Sequence, residues 1–425
     1  MNTQLIGKVR KDILDNGVIF IHNYNTEQPI VSVVIFIKMG AVYEPLHLTG
    51  ISELVQATIT KGTKNRTAKQ IVEEIESLGG EISADSDTDY STLSISVGSI
   101  HYEKAIEILH DVFTNPIFPE EEVEKEKMNI IAGIIARKDR IFNVAIDELL
   151  LNIYGKQHPY GRPPERIIRT IRKIKRENLL SWWEKFYGID NNLRNIVIVV
   201  SGDVDFLYAK EIIMKYFSSI RRTQLPFIQD YKLRLKRKYV SRKVHFKQAY
   251  LMYGFLAPAV GITDIREFLS LKLLNLYLGG GMSGKLFEIL REQYSLCYET
   301  NSFYPTRILD SHFVFYLGLD HTRIELAKNK IEEIINLLKG GKIFDEKDLE
   351  ETKKKFSGRY LLDHQTNARQ AWYLGFWEIV GLGYEYDAKY IEDIKTVTLD
   401  DIHNTVNKIF SKEKAVVVEL IPKKK

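Results

Sequence analysis

The alternation of apolar and polar positions divides the chain into short strands and amphipathic helices, and it does so twice. Residues 9–14 and 18–22 read as paired strands around an Asp15-Asn16-Gly17 turn, and 30–38, β-branched and almost wholly apolar, as a central strand. From Gly50 to Thr63 the period changes, because Ile51, Leu54, Val55 and Ile59 recur at helical steps. A capped helix over 67–78 stops at Gly79-Gly80, strands follow over 81–85 and 91–97, and helices over 102–113, 119–137, 143–154 and 175–187. An apolar strand over 195–201 closes the first half.

A second half repeats the order. Strands are predicted over 248–255, 298–303, 312–319 and 415–421, and helices over 264–278, 285–292, 323–338 and 345–362. The strand ending in His101 matches the one ending in His321 at an offset of 220, and Ile117-Phe118 before an acidic helix start matches Ile343-Phe344 at 226. Two copies of an α+β unit are expected, each a mostly antiparallel sheet covered by helices on one face. The expected division is 1–220, a linker over 221–243, and 244–425. The linker carries a basic run, Lys232-Leu-Arg-Leu-Lys-Arg-Lys238, which reads as an exposed entry to an edge strand rather than a nucleic-acid contact.

Composition narrows the class without naming a function. The 425 residues are 44% hydrophobic and 27% charged, ordinary for a globular protein, and a net charge of +4 argues neither for nor against a nucleic-acid partner. The single Cys297 excludes an intramolecular disulfide and fits a reducing compartment. No charged start precedes an apolar stretch at the N-terminus, and the longest apolar run, 249–262, contains Pro258 and is too short to span a bilayer. A cytoplasmic protein without membrane insertion is expected.

Two stretches carry candidate chemistry. Gly279 to Lys285 satisfies Gly-x-x-x-x-Gly-Lys, but Leu286 replaces the magnesium-binding Ser or Thr and the loop follows a helix pattern, so a phosphate loop is not expected. The other stretch is 50–63. It resembles the zinc-binding helix of the pitrilysin/insulinase (M16) peptidases, Gly-Leu-x-His-x-x-Glu-His-x-x-x-Lys-Gly-Thr, through Gly50, Lys61, Gly62 and Thr63. The reactive residues are replaced within that frame. Glu53 stands at the first zinc histidine, Gln56 at the general-base glutamate and Ala57 at the second histidine. The third ligand lies roughly 76 residues further on in the family, at Gly133 here, where 126–133 otherwise follows the family pattern. Glutamine takes no proton at neutral pH and alanine carries no donor atom, so no metal is expected in this chain. His22, His47, His101, His110 and His158 never fall at one-turn spacing and offer no substitute.

The glycine-rich stretch, read with the same resemblance, keeps the family's arginine on a helix and tyrosine seven residues later, at Arg291 and Tyr298. The resemblance implies that this pair, with Gly279, Gly280 and Gly281 nearby, holds a substrate backbone: a guanidinium offers fixed donors to a carbonyl and a phenol a further one. Without the family, Arg291 pairs with Glu288 on a helix surface and Tyr298 is buried in a strand. The family includes two-chain enzymes of M16B type in which one subunit carries zinc and the other the arginine and tyrosine. The resemblance therefore implies half of a clamshell, a subunit with no catalytic residue of its own, a His-x-x-Glu-His partner bearing zinc, and a peptide or unfolded polypeptide substrate. A structural subunit like those of respiratory complexes and a peptide-binding module without turnover are the alternatives.

Overall fold

In the computed structural model, residues 8–423 are described except 191, 193, 232, 234–237, 262 and 263. Part of the basic run at 232–238 therefore lies outside the described residues. Two compact units emerge, each assembled from separated stretches. One holds the residues up to 134 with 165–230 and 361–389; the other holds 135–164, 231–360 and 390 onward.

The first unit is built on a six-stranded sheet. The hairpin β1 (Lys8–Ile13) and β2 (Ile19–Tyr24) turns at Gly17, whose φ of 96° lies where glycine is favoured. β3 (Ile30–Ile37) leads to α1 (Ile51–Ile59) and α2 (Ala68–Ser77), the latter opened by a Thr67–Gln70 capping box. Then come β4 (Glu81–Ser86), β5 (Ser91–Gly98), α3 (Tyr102–Thr114) and α4 (Glu120–Arg137). After α5 (Ile141–Tyr154) follow α6 (Pro164–Ile171), α7 (Arg176–Phe186), β6 (Ile196–Gly202) and α8 (Phe206–Phe217). The strand order is β1-β2-β6-β3-β5-β4, antiparallel except for the parallel pair β2 and β6. Val31, Val33, Ile35 and Ile37 alternate into a core shared with α1, α3, α7 and α8.

The second unit repeats the plan with five strands. β7 (Lys238–Val244) and β8 (Ala249–Ala257) precede α9 (Ile265–Gly279), a π-helical segment Phe287–Gln293, β9 (Cys297–Phe303) and β10 (Ser311–Leu319). Next are α10 (Ile324–Lys339), α11 (Glu346–Asp363), α12 (Asn367–Ile379), α13 (Tyr386–Thr396), α14 (Leu399–Ile409) and β11 (Val416–Pro422). The order is β7-β11-β8-β10-β9, again with one parallel pair, β7 and β11. The repeat extends to detail. α4 and α11 have 18 residues each and begin 226 positions apart, and the buried Lys127 and Lys353 each reach back one turn to Glu124 and Glu350.

The units are not the sequence halves 1–220 and 244–425. α12 lies on β3 and β6 in the first unit, while α5 lies on β8 and β11 in the second. Close approach explains the exchange. A Cβ on Gly375 of α12 would fall 2.3 Å from the Phe36 ring, and one on Gly254 of β8 would fall 2.8 Å from Ile153 of α5. The central strands are thus covered on both faces rather than one, as the unbroken burial of β6 requires. Helices α6, α8, α12, α13 and α14 were not among the expected elements.

Candidate functional site

The α1 segment is held at both ends by hydrogen bonds and ion pairs to the surrounding fold. Gly50 opens the helix at φ 92°, and a Cβ there would meet Ile171 and Ile167 at about 3 Å. The buried Glu44 carboxylate accepts from the Gly50 and Ser52 amides at 2.8 and 2.9 Å, satisfying two of the donors that a helix start leaves free. At the other end Lys61 pairs with Glu126 of α4 at 3.2 Å. The Thr63 hydroxyl donates to Asp111 at 2.6 Å, beside an Arg66 hub that joins Asp111, Glu107 and Glu74. Gly62 takes φ 142°, where glycine is favoured, and its carbonyl accepts from the Ile117 amide at 3.1 Å, so the Gly, Lys, Gly and Thr of the frame are each used by the fold itself.

Inside the frame, Gln56 is 2% exposed and fully engaged. Its Nε2 donates to the carbonyls of Thr92 and Asp85 at 3.2 and 3.3 Å, and its Oε1 accepts from the Tyr187 hydroxyl at 2.8 Å. Burial raises the Tyr187 phenol far above its ordinary range, so it remains a donor. A carboxylate at 56 would face two carbonyl oxygens with no proton to give. Trp182 Nε1 donates to Ser52 at 3.2 Å on the same helix. Glu53 is exposed and Ala57 half-buried. Gly133 is exposed on α4, where a Cβ would meet nothing within 4 Å. Among the described residues no three His, Cys, Asp or Glu side chains are grouped to hold a metal. With the amide of Gln56 committed to main-chain oxygens and no donor on Ala57, these residues do not fit zinc.

The Arg291 and Tyr298 region is built in the opposite way. Arg291 lies in the π-helical segment, its guanidinium 4.8 Å above the Phe287 ring. The segment closes with Ser295 at φ 48°, fixed by the Ser295 amide on Arg291 O, the Leu296 amide on Leu290 O and Arg323 donating to Ser295 O. Glu288 does not take Arg291. It accepts from Lys285 at 2.9 Å and from Gln293 at 3.1 Å. Among the described residues no hydrogen bond or ion pair engages the Arg291 guanidinium. Tyr298 is 62% exposed rather than buried. The β9–β10 register passes from Leu319↔Cys297 to Gly318↔Glu299, so Tyr298 is the extra residue of a β-bulge that turns its side chain outward. Each of the two residues sits at an insertion in regular structure, one helical and one stranded.

The glycine loop is anchored from α11. Lys355 and Arg359, one turn apart, both donate to Gly280 O at 3.3 and 3.0 Å, and Lys355 also reaches Ser283 at 2.7 Å. Burial, then the Arg359 charge, lowers the Lys355 pKa. A Cβ on Gly279 would come within 2.3–2.5 Å of Asn301 and Ser302, and Gly281 has φ 88°, so glycine is required at both. The loop follows α9 and its Lys285 is paired with Glu288, which is not the setting of a phosphate loop. The basic pair Lys355 and Arg359, spaced at one turn, was the legible signal for this anchor and was missed.

The chain is similar to known proteins along most of its length. Residues 19–163 match the family described as "Insulinase (Peptidase family M16)" and 173–356 the "Peptidase M16 inactive domain". A protein of Rickettsia felis named "Uncharacterized zinc protease" is 28% identical over 387 residues, 90% of each chain. The bovine "Cytochrome b-c1 complex subunit 1, mitochondrial" is 24% identical over 220 residues, 52% of this chain and 45% of that one. A crystal structure of a protease from Helicobacter pylori superposes with a TM-score of 0.87 at 19% identity, covering 98% of this chain and all of the other. With the two family models spanning most of its length and the fold shared end to end, the chain belongs to the M16, or insulinase, peptidase family.

Proposed function

We propose that this chain is the substrate-binding subunit, without zinc or a catalytic base of its own, of a two-chain M16B-type endopeptidase acting on peptides or unfolded polypeptides in the cytoplasm. The observation that carries this reading is the contrast within the chain: the Gln56 amide is consumed by the Thr92 and Asp85 carbonyls, whereas no carboxylate among the described residues pairs with Arg291 and Tyr298 is 62% exposed. In this reading the partner, a chain with intact His-x-x-Glu-His, brings zinc. Arg291 donates through its guanidinium to a main-chain carbonyl of the substrate, and the Tyr298 hydroxyl donates to the same or the next one. The loop around Gly279, Gly280 and Gly281, stiffened by Lys355 and Arg359, lets a peptide backbone approach closely. β9 is the outer strand of its sheet, so an extended peptide can pair with it. No nucleic acid enters this reading, and no helix among the described residues is long and apolar enough to cross a membrane.

The test is reconstitution. Alone, the chain is expected to hold no stoichiometric zinc and to cleave no peptide; mixed with a His-x-x-Glu-His partner it is expected to support cleavage. Arg291→Ala should then lower kcat about 100-fold at unchanged zinc content, the scale of losing one donor to a reacting carbonyl. An unchanged rate would remove the role given to Arg291. A second reading, a structural subunit of a larger complex, is favoured by the likeness to cytochrome b-c1 complex subunit 1. It is distinguished by stable association with a partner that lacks His-x-x-Glu-His.

A further inference from the structure

The bulge at Tyr298 exposes a second side chain. Glu299, the next residue of β9, is exposed, and no cation pairs with it among the described residues. It stands opposite Gly318 of β10, and Gly318 in turn stands opposite Tyr250 of β8, so the three share one row across the sheet. Having no side chain, Gly318 leaves a notch in that row. A Cβ there would lie 3.2 Å from Tyr250 Cε2 and 3.6 Å from Glu299 Cβ, so the tyrosine ring leans over the glycine toward the carboxylate. Tyr250 is fully buried, and its hydroxyl is directed at the Glu299 carboxylate, to which it donates. Its ring stacks on Tyr316 at 6.0 Å, and Phe142 of α5 packs edge-on against Tyr316 at 5.1 Å. Burial first, then the negative charge of Glu299, holds the Tyr250 and Tyr316 phenols protonated. An exposed carboxylate with no cation among the described residues, held by the Tyr250 hydroxyl and flanked by the half-buried Tyr316 ring, complements a cationic side chain through charge and cation–π attraction.

We propose that Glu299, backed by Tyr250 and Tyr316, is a specificity subsite for a lysine or arginine side chain of an extended peptide lying along the free edge of β9. The proposal rests on the peptide-binding reading above and narrows it to basic peptides. The row geometry supplies the reason: a strand added to β9 places one of its side chains beside Glu299, where an opposite charge is attracted and a like charge repelled.

The experiment uses the full chain and fluorescein-labelled ten-residue peptides of Ser, Thr and Val with one central Lys, Arg, Gln or Glu, followed by anisotropy at low salt. The Lys and Arg peptides are expected to bind about five-fold more tightly than the Glu peptide, a difference that salt reduces. Glu299→Gln should abolish the difference, and Glu299→Lys should invert it. Because Glu299 is exposed, neither change threatens the fold. Binding without charge preference, or a preference that survives Glu299→Gln, overturns the subsite while leaving the peptide-binding reading intact. If no peptide binds, including the Gln peptide, the reading fails and the subsite with it.

Discussion

The α1 segment and the Arg291–Tyr298 segment treat their polar groups in opposite ways. Around α1 every polar atom on the inner face is consumed by the fold: Gln56 by two carbonyls and a phenol, Ser52 by Trp182, the helix start by Glu44. Around β9, a π-helical insertion and a β-bulge hold Arg291 and Tyr298 in the open, and the local hydrogen bonds involve main chain rather than those two side chains. The difference teaches that loss of reactive residues leaves no hollow. The buried polar positions are re-employed as structure, since an unsatisfied group there would be costly. Exposed positions face no such pressure.

The largest effect expected from this contrast is at Gln56. Gln56→Leu strands two carbonyls and the Tyr187 hydroxyl in the interior and should cost about 3 kcal/mol or more in urea denaturation. A loss below ~1 kcal/mol would show the α1 network to be as dispensable as the open region. Acid is the next probe, because the open surface has a dry backing. His312 touches Phe303 of β9 and hydrogen-bonds the Tyr154 phenol at 2.8 Å, while His158 stacks on Tyr154. Burial, then Arg307, pushes His312 down to about 3; burial, then Arg162, pushes His158 down to about 4. The unfolded chain therefore takes up these protons first as pH falls below about 6.5. Stability is at its full value above that pH and declines between it and the folded values, by up to ~3 kcal/mol for His158 and ~5 kcal/mol for His312. His22 and His110, also lowered by burial, add to the slope. A urea midpoint that stays flat from pH 7 to 4 would mean that the backing is wet.

Smaller effects sharpen the comparison. Gly133→Ala, at an exposed helical position where a Cβ meets nothing, should stabilise by about 0.5–1 kcal/mol. A destabilisation would show that position 133 is packed after all. Arg291→Ala and Tyr298→Ala should each change stability by less than about 0.5 kcal/mol. A larger loss for either would mean that these residues brace the fold, and would weaken their assignment to substrate.

Periodicity led to the paired strands and their Gly17 turn, the repeat at offsets of 220 and 226, and the helix opening at Gly50; the altered zinc frame within that helix came from its resemblance to the M16 peptidases. Each of these is written in local spacing, where backbone geometry translates directly into pattern. The frame residues Gly50, Lys61, Gly62 and Thr63 were legible for the same reason, although the Thr63–Asp111 contact that uses one of them was not. Helices α6, α8 and α12 to α14 escaped the pattern. α12 has buried residues on more than one side because it packs closely on a foreign sheet, so its apolar stripe is blurred.

From its order of residues alone, this chain was bound to form two repeated α+β patterns and to carry no pair of histidines one helical turn apart over residues 50–63, because both depend on which residue types stand at fixed short intervals. Only the tertiary structure decided that α5 and α12 trade sheets, that Gln56 turns its amide inward to Thr92 and Asp85, and that Tyr298 and Glu299 stand at a bulge facing outward. Those outcomes depend on which distant segments meet and on a single inserted residue in a strand. No local spacing encodes either.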